Sequence, residues 1–250
     1  IWEREVVLFV DTFSRYFEPE NARAAIRVLQ SGGYRVHVAQ PKEGGRPLCC
    51  GRTFLSAGLV DEARVEARRM LEALRPWVQR GMPVIGLEPS CLFSLRDEFT
   101  VLLPESGALA GKAVLFEEFL AAEQDAGRLK LDLKPLDRPV LLHGHCHQKA
   151  FGTMAAVEKA IRLVPGVKLQ TVESSCCGMA GSFGYEAEHY DVSMAMAEAS
   201  LLPALRKAPA EAIVVADGTS CRQQIEHGAG RAPIHVARLL AEALRKADAG

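Results

Sequence analysis

Two copies of a Cys-Cys-Gly tripeptide, Cys49-Cys50-Gly51 and Cys176-Cys177-Gly178, stand among the seven cysteines of this chain. Adjacent cysteines serve a sheet core poorly, because neighbouring side chains on a strand point to opposite faces. In a loop the same pair offers two soft ligands to one metal centre. The second copy runs on through Met179-Ala180-Gly181-Ser182-Phe183-Gly184, and its glycines let backbone come close to a bulky ligand. Repetition of the tripeptide implies an internal duplication. An odd cysteine count, with no export signal and with most thiols beside Gly, Ser or Pro, favours metal or redox chemistry over a disulfide framework.

Further donors lie near these thiols. His143, His145 and His147 alternate around Cys146, and imidazole is a common metal ligand or proton carrier. With four thiols available, Cys146, Cys176, Cys177 and Cys221, the three histidines are expected to surround the centre and not to hold it, together with Gln224 and Gly178. The first half offers Cys49, Cys50 and Cys91, and Asp11 sits at the right strand end to complete a second site. Ser90 and Ser220 each precede a Cys at an expected helix start, where the helix dipole lowers a thiol pKa. His189, His227 and His235 read as helix-surface or capping residues, and His37 as strand-borne. The run Gly178 to Gly184 lacks the Lys-Ser/Thr ending of a phosphate loop, and no Ser-His-Asp or zinc-protease motif suggests hydrolysis.

The elements that position these residues alternate. Short apolar runs at Glu5–Val10, Tyr34–Val38, Pro83–Leu87, Val140–Leu142, Val167–Val172 and Ile213–Ala216 read as buried strands. Helical stripes are expected over Pro19–Gln30, Asp61–Arg80, Thr153–Leu163, most of Tyr185–Lys207, and Val236–Lys246. Strands this apolar, alternating with helices, predict parallel sheets covered on both faces, an α/β fold in two tandem related halves. The polar, proline-bearing stretch Gln124–Pro139 suggests a boundary, with halves at 1–136 and 137–250. Every cysteine is expected in a loop just after a strand, so that strand C-terminal ends gather thiols far apart in sequence.

Composition narrows the functional classes. Thirty Lys+Arg against 31 Asp+Glu give a net charge of -1, so nothing draws the chain to nucleic acid. No apolar run approaches the roughly 18 residues of a membrane span. A cytoplasmic location is expected, with peripheral association at the inner membrane face through partners. The opening at Ile1, not Met, suggests a module of something longer.

The motifs Gly86-Leu-Glu-Pro-Ser-Cys91, His143-Gly-His-Cys-His-Gln-Lys149, Cys176-Cys-Gly-Met-Ala-Gly-Ser-Phe-Gly184 and Asp217-Gly-Thr-Ser-Cys-Arg-Gln-Gln-Ile225 resemble the cysteine-rich CCG domain family. That family includes heterodisulfide reductase B subunits, glycolate oxidase iron-sulfur subunits and the C-terminal module of FAD-linked D-lactate and D-2-hydroxyglutarate dehydrogenases. The chain departs from the family pattern of a lone Cys, then CCG, then CxxC. In the first half the lone Cys is absent where Asp11-Thr12-Phe13 stands, and the last Cys is replaced by Ser94. In the second half the last Cys is replaced by Gln224, leaving four thiols, a set that suits a 4Fe-4S cluster or tetrahedral zinc.

The resemblance implies an iron-sulfur electron-transfer module for a flavin-dependent 2-hydroxyacid dehydrogenase, inactive on substrate by itself. FAD is then expected on another domain or subunit, with a further iron-sulfur domain and an unidentified electron acceptor as partners. Two other readings use the same thiols: zinc in a structural or docking domain, or thiol-disulfide chemistry at Cys176 and Cys177. Against the latter, vicinal cysteines form only a strained ring.

Overall fold

Val6-Val7-Leu8-Phe9, Val84-Ile85, Val140-Leu141-Leu142 and Ile213-Val214-Val215 are buried along their whole length. A strand covered on both faces has no reason to alternate polar with apolar residues, and helices must supply the cover. The protein, seen in a computed structural model, is described over residues 4–245. It divides into two compact units, Ile1–Leu131 and Asp132–Gly250, and the division falls within the polar stretch 124–139.

Unit one runs β1 (Arg4–Phe9), α1 (Thr12–Tyr16), α2 (Pro19–Ser31), β2 (Tyr34–Val38), α3 (Arg52–Ser56), α4 (Val60–Gln79), β3 (Val84–Gly86), α5 (Pro89–Arg96), α6 (Glu98–Leu102), α7 (Gly107–Ala110), β4 (Ala113–Leu115) and α8 (Phe116–Asp125). Its sheet is wholly parallel in the order β2-β1-β3-β4, with Val7 opposite Val84. Ala63, Ala67, Met70, Leu71 and Leu74 form one buried stripe on α4, and they pack in a core with Phe93 and Phe99.

Unit two runs β5 (Val140–Leu142), α9 (Cys146–Ala150), α10 (Met154–Ile161), β6 (Leu169–Thr171), α11 (Tyr190–Glu198), α12 (Leu201–Lys207), β7 (Ile213–Val215), α13 (Thr219–Ala229) and α14 (Val236–Ala243). Its sheet is parallel in the order β6-β5-β7. Val215 of β7 also makes an isolated parallel bridge to Ile234, which stands where β4 stands beside β3. Helix α14 follows that bridge as α8 follows β4. The fold is therefore α/β in two related halves, each a small parallel sheet flanked by helices, as the alternation of elements predicts.

Three details differ from the sequence reading. The helix expected over 185–207 is broken: two short 3-10 turns precede α11, and Ser200 at an extended φ separates it from α12, where Pro203 has no N–H for the carbonyl of Ala199. The last helix stops at Ala243, because Leu244 turns to bridge Leu133 while the Ala243 carbonyl accepts from Lys134 N at 2.8 Å. Lys246, expected in that helix, lies outside the described residues. Finally, Cys91, Cys146 and Cys221 sit in the first turns of α5, α9 and α13, not in loops, because each strand passes within a few residues into a helix.

Candidate metal centre

In unit two, three strand ends deliver the thiols. Beyond β5 the chain passes His143 and Gly144 to His145, the N-cap of α9. His145 Nδ1 accepts from His147 N at 3.1 Å, and Gln148 reaches back to accept from His145 N at 2.9 Å, so both ends of the turn are satisfied reciprocally. Gln148 also donates to Asp217 at 2.8 Å, which ties the end of β5 to the end of β7. Cys146 opens α9 and Cys221 lies in the first turn of α13. The His145 ring lies so close over Gly218 that a Cβ there would come within 2.2 Å of it, so that glycine lets the ring in.

Cys176 and Cys177 come from the loop after β6. Gly178 takes φ +91°, and its N–H donates to Cys176 Sγ at 3.3 Å. Cys177 likewise accepts from the backbone N–H of Met179. A Cβ on Gly178 would meet the Ser193 carbonyl oxygen at 2.1 Å, and Gln224 Nε2 braces that carbonyl at 3.3 Å and Ser193 Oγ at 3.1 Å. Lys149 holds the loop from the other side by donating to the carbonyls of Ser174 and Ser175. Its ammonium is partly desolvated, which lowers its pKa, while the four thiols pull it back up.

The four sulfurs are linked in one series, Cys146 to Cys176, Cys176 to Cys177, and Cys177 to Cys221. Donation from Cys146 and then Cys177 holds Cys176 far below the ordinary thiol range. The single Cys177 proton is shared with Cys221 on its other side, which is also held low despite its burial, helped by the His145 and His143 rings. Cys146 is pushed up by its bond to Cys176 and by desolvation, and Cys177 by its bonds to Cys176 and Cys221. Alternating donors and acceptors let crowded sulfurs avoid adjacent negative charges, and a cation would displace the shared protons. Cys177 and Cys221 are 4% and 2% exposed, whereas Cys146 and Cys176 are half-buried. The donor set thus fits a thiolate-held metal centre with one edge toward solvent.

Among the described residues, two triads of donor atoms lie within 4.8 Å of one another in this unit, His143–Cys177–Cys221 and His145–Cys146–His147. Sequence reasoning grouped the histidines together; the structure separates them. His145 spends Nδ1 as a helix cap, whereas His143 stands directly against the two buried thiols. Since β5 ends at Leu142, strand alternation does not reach these residues.

Unit one repeats the plan with other residues. Gly51 takes φ +75° and donates to Cys49 Sγ at 3.4 Å, and Cys50 accepts from the N–H of Arg52. Glu66, buried on α4, pairs with Arg46 and Arg69, and Arg69 also bonds the Arg46 and Pro47 carbonyls, which fixes the approach to the tripeptide. Thr12, the first residue of α1, donates to Cys49 where Cys146 meets Cys176 in unit two. Asp11 is the N-cap of α1: its Oδ1 accepts from Ser14 N at 2.9 Å, and its buried Oδ2 has no hydrogen-bond partner. Cys49 is raised by its bond to Cys50 and by burial. At Cys50 the bond from Cys49 lowers the pKa, but the interaction with Cys91 and complete burial outweigh it. Cys91 is likewise lowered by Cys50 yet pushed up to about 11 by burial and by the Asp11 and Glu88 charges, which oppose the thiolate that a helix start favours. Among the described residues, no donor triad includes Cys49, Cys50, Cys91 or Asp11.

Comparison with known proteins reaches both units. Residues 140–226 match the family described as "Cysteine-rich domain" (CCG). The chain is 32% identical over 245 residues to one component of the anaerobic glycerol-3-phosphate dehydrogenase of Escherichia coli strain K12, covering 97% of this chain and 60% of that component. It is 31% identical over 232 residues to a D-2-hydroxyglutarate dehydrogenase of Pseudomonas putida, covering 90% of this chain and 21% of that enzyme. It is 24% identical over 193 residues to the lactate utilization protein A 1 of Bacillus mycoides, covering 72% of each. The chain therefore spans less than two thirds of the first two relatives. No helix among the described residues is long and apolar enough to cross a membrane.

Proposed function

We propose that this chain, whose second half is a cysteine-rich domain, is an electron-transfer module of a dehydrogenase and holds a 4Fe-4S cluster on Cys146, Cys176, Cys177 and Cys221. The observation that carries the proposal is the single series of four thiols gathered at three parallel strand ends. Likeness to dehydrogenase subunits and domains supports an oxidoreductase component. When bound, the cluster would accept and release single electrons. The chain's own contribution is to fix the sulfurs, to aim the backbone N–H groups of Gly178 and Met179 at them, and to brace their loop through Gln224 and Lys149. Hydrogen bonds to sulfur and solvent exposure set the potential of such centres. His145 and His147 lie against Cys146, at 3.8 and 3.7 Å from its Sγ, on the half-buried edge.

Substrate oxidation would take place on a flavin in another domain or subunit. The names of two relatives give glycerol 3-phosphate and D-2-hydroxyglutarate as substrates, so the substrate class that both share is a small alcohol carrying an acidic group. Partners would be that flavin domain, a second iron-sulfur domain and an acceptor, with membrane association coming only through them. Unit one would be the weaker second site, on Cys49, Cys50, Cys91 and Asp11. Anaerobic purification with iron, sulfide, zinc and visible-absorption analysis tests the proposal. Equal iron and sulfide with broad visible absorption is expected, and a colourless protein with stoichiometric zinc overturns it in favour of a structural site.

A further inference from the structure

The ligand set of unit two is one thiol short of the family pattern, and the residue standing in that thiol's place does not fill the gap. Gln224 turns away and spends its amide on Ser193 Oγ and O at 3.1 and 3.3 Å. Another group is better placed. His143 is 1% exposed, and a ring nitrogen lies within 4.8 Å of both Cys177 Sγ and Cys221 Sγ. Its Nδ1 is 2.9 Å from Ser174 Oγ, in the same loop that carries Cys176 and Cys177. Its Nε2 is buried and meets no well-formed hydrogen-bond partner, and the group that interacts with the ring on that side is the Cys221 sulfur. A buried ring nitrogen whose neighbours are sulfurs is poorly satisfied by them, and a metal held by the same sulfurs would use its lone pair.

From this geometry we infer that His143 Nε2 is a direct ligand of the metal centre, a fifth donor to the metal that Cys177 or Cys221 holds, making the donor set mixed sulfur and nitrogen. The inference rests on the reading of Cys146, Cys176, Cys177 and Cys221 as ligands. Ser174 supplies the orienting contact: with the Nδ1 proton given to its hydroxyl, Nε2 keeps a lone pair toward the sulfurs, the usual arrangement for a ligating imidazole. His145 is excluded from the same role through Nδ1, because that lone pair accepts from His147 N. Unit one has no counterpart, since Val10 follows β1 where His143 follows β5.

The test uses the anaerobically purified chain labelled with 15N-histidine. In the reduced protein, pulsed electron paramagnetic resonance should show a nitrogen hyperfine coupling that changes with the isotope. The coupling should vanish in His143→Ala and persist in His145→Ala and His147→Ala. His143→Cys should retain metal but lower the reduction potential, because thiolate donates more charge than imidazole. No nitrogen coupling in the unmutated protein, or coupling that survives His143→Ala, overturns the inference while leaving electron transfer standing. Where His143→Ala does not fold, persistence of the coupling in the His145→Ala/His147→Ala double variant assigns it to His143, and its disappearance overturns the assignment. If the chain holds only zinc, the electron-transfer reading fails, and zinc-edge X-ray absorption decides ligation separately: imidazole scattering lost on His143→Ala supports it, and an all-sulfur shell overturns it.

Discussion

In unit one the helix after the first strand begins on Asp11 and Thr12, and in unit two the corresponding helix begins on His145 and Cys146. Almost everything around those positions is shared. Both units place a Cys-Cys-Gly loop beside them, both glycines have positive φ, and in both the two thiols accept from the N–H groups two residues on. The outcomes differ because a hydroxyl donates its proton to Cys49 where a fourth thiol meets Cys176. A Thr side chain ends the series of sulfurs; a Cys extends it. The tripeptide therefore makes the cradle, and the residue that opens the neighbouring helix decides how many sulfurs the cradle gathers.

The largest effect follows from that difference. Cys177→Ser should remove most of the metal from the chain, because Cys177 joins Cys176 to Cys221 and is buried between them. Cys50→Ser should remove little, since unit one lacks a fourth thiol. Metal analysis of the two variants side by side checks this. Equal losses would mean that the units carry equivalent centres, and the contrast drawn from Thr12 and Cys146 would be wrong.

A smaller effect separates the two glycines. Replacing either by Ala places a side chain in left-handed backbone, at roughly 1–2 kcal/mol. At Gly51 the new Cβ would stand 3.1 Å from the Ala63 carbonyl oxygen and 3.2 Å from Glu66 Cβ, contacts that a few tenths of an ångström relieve. At Gly178 it would meet the Ser193 carbonyl oxygen at 2.1 Å, on a backbone that Gln224 holds in place. Gly178→Ala should therefore destabilise its unit by clearly more than the strain alone and lower metal content as well, whereas Gly51→Ala should cost about the strain. Denaturant unfolding with metal analysis reads both, and equal destabilisation would show that the Ser193 backbone yields.

How far the sequence reaches is itself clear from these contrasts. Apolar runs and intervening stripes foretell parallel strands, and the order of the cysteine motifs foretells which ends must meet. Strand β4 escapes such reading because Ala113-Val114-Leu115 passes straight into α8 at Phe116, with no turn residue to bound the strand from the helix. Asp11 reads as a ligand by its place at a strand end, yet Asp11-Thr12-Phe13-Ser14 also carries a helix-cap signal, and the structure uses one carboxylate oxygen that way. His143 and His145 are alike on paper. Only the turn after Leu142, with Gln148 and Ser174 taking one histidine each, gives them different tasks.

The smallest effect concerns how each unit closes, away from the sulfurs. The eighth residue of α8 is Glu123 and the eighth of α14 is Ala243, so one unit closes on charge where the other closes on backbone. Glu123 accepts from Tyr34 Oη, from Arg4 at 3.2 Å and from Arg128 at 3.1 Å, and the Arg128 guanidinium first, then the Tyr34 hydroxyl, hold its carboxyl below the usual range. In unit two the Ala243 carbonyl accepts from Lys134 N, and the exposed Glu198–Arg206 pair is screened by solvent. A carboxylate whose folded pKa lies below its unfolded value of about 4.3 gives its full stabilisation above that value and loses it as pH falls through the folded pKa. Acidification below about pH 4.3 should then raise amide exchange in unit one before unit two. Glu123→Gln should cost unit one roughly 1 kcal/mol at neutral pH and flatten its acid response, since the amide keeps a similar shape without the charge. If Glu123→Gln left the acid response of unit one as steep as before, the titrating group would lie elsewhere, and the closing contact would be a matter of shape in both units.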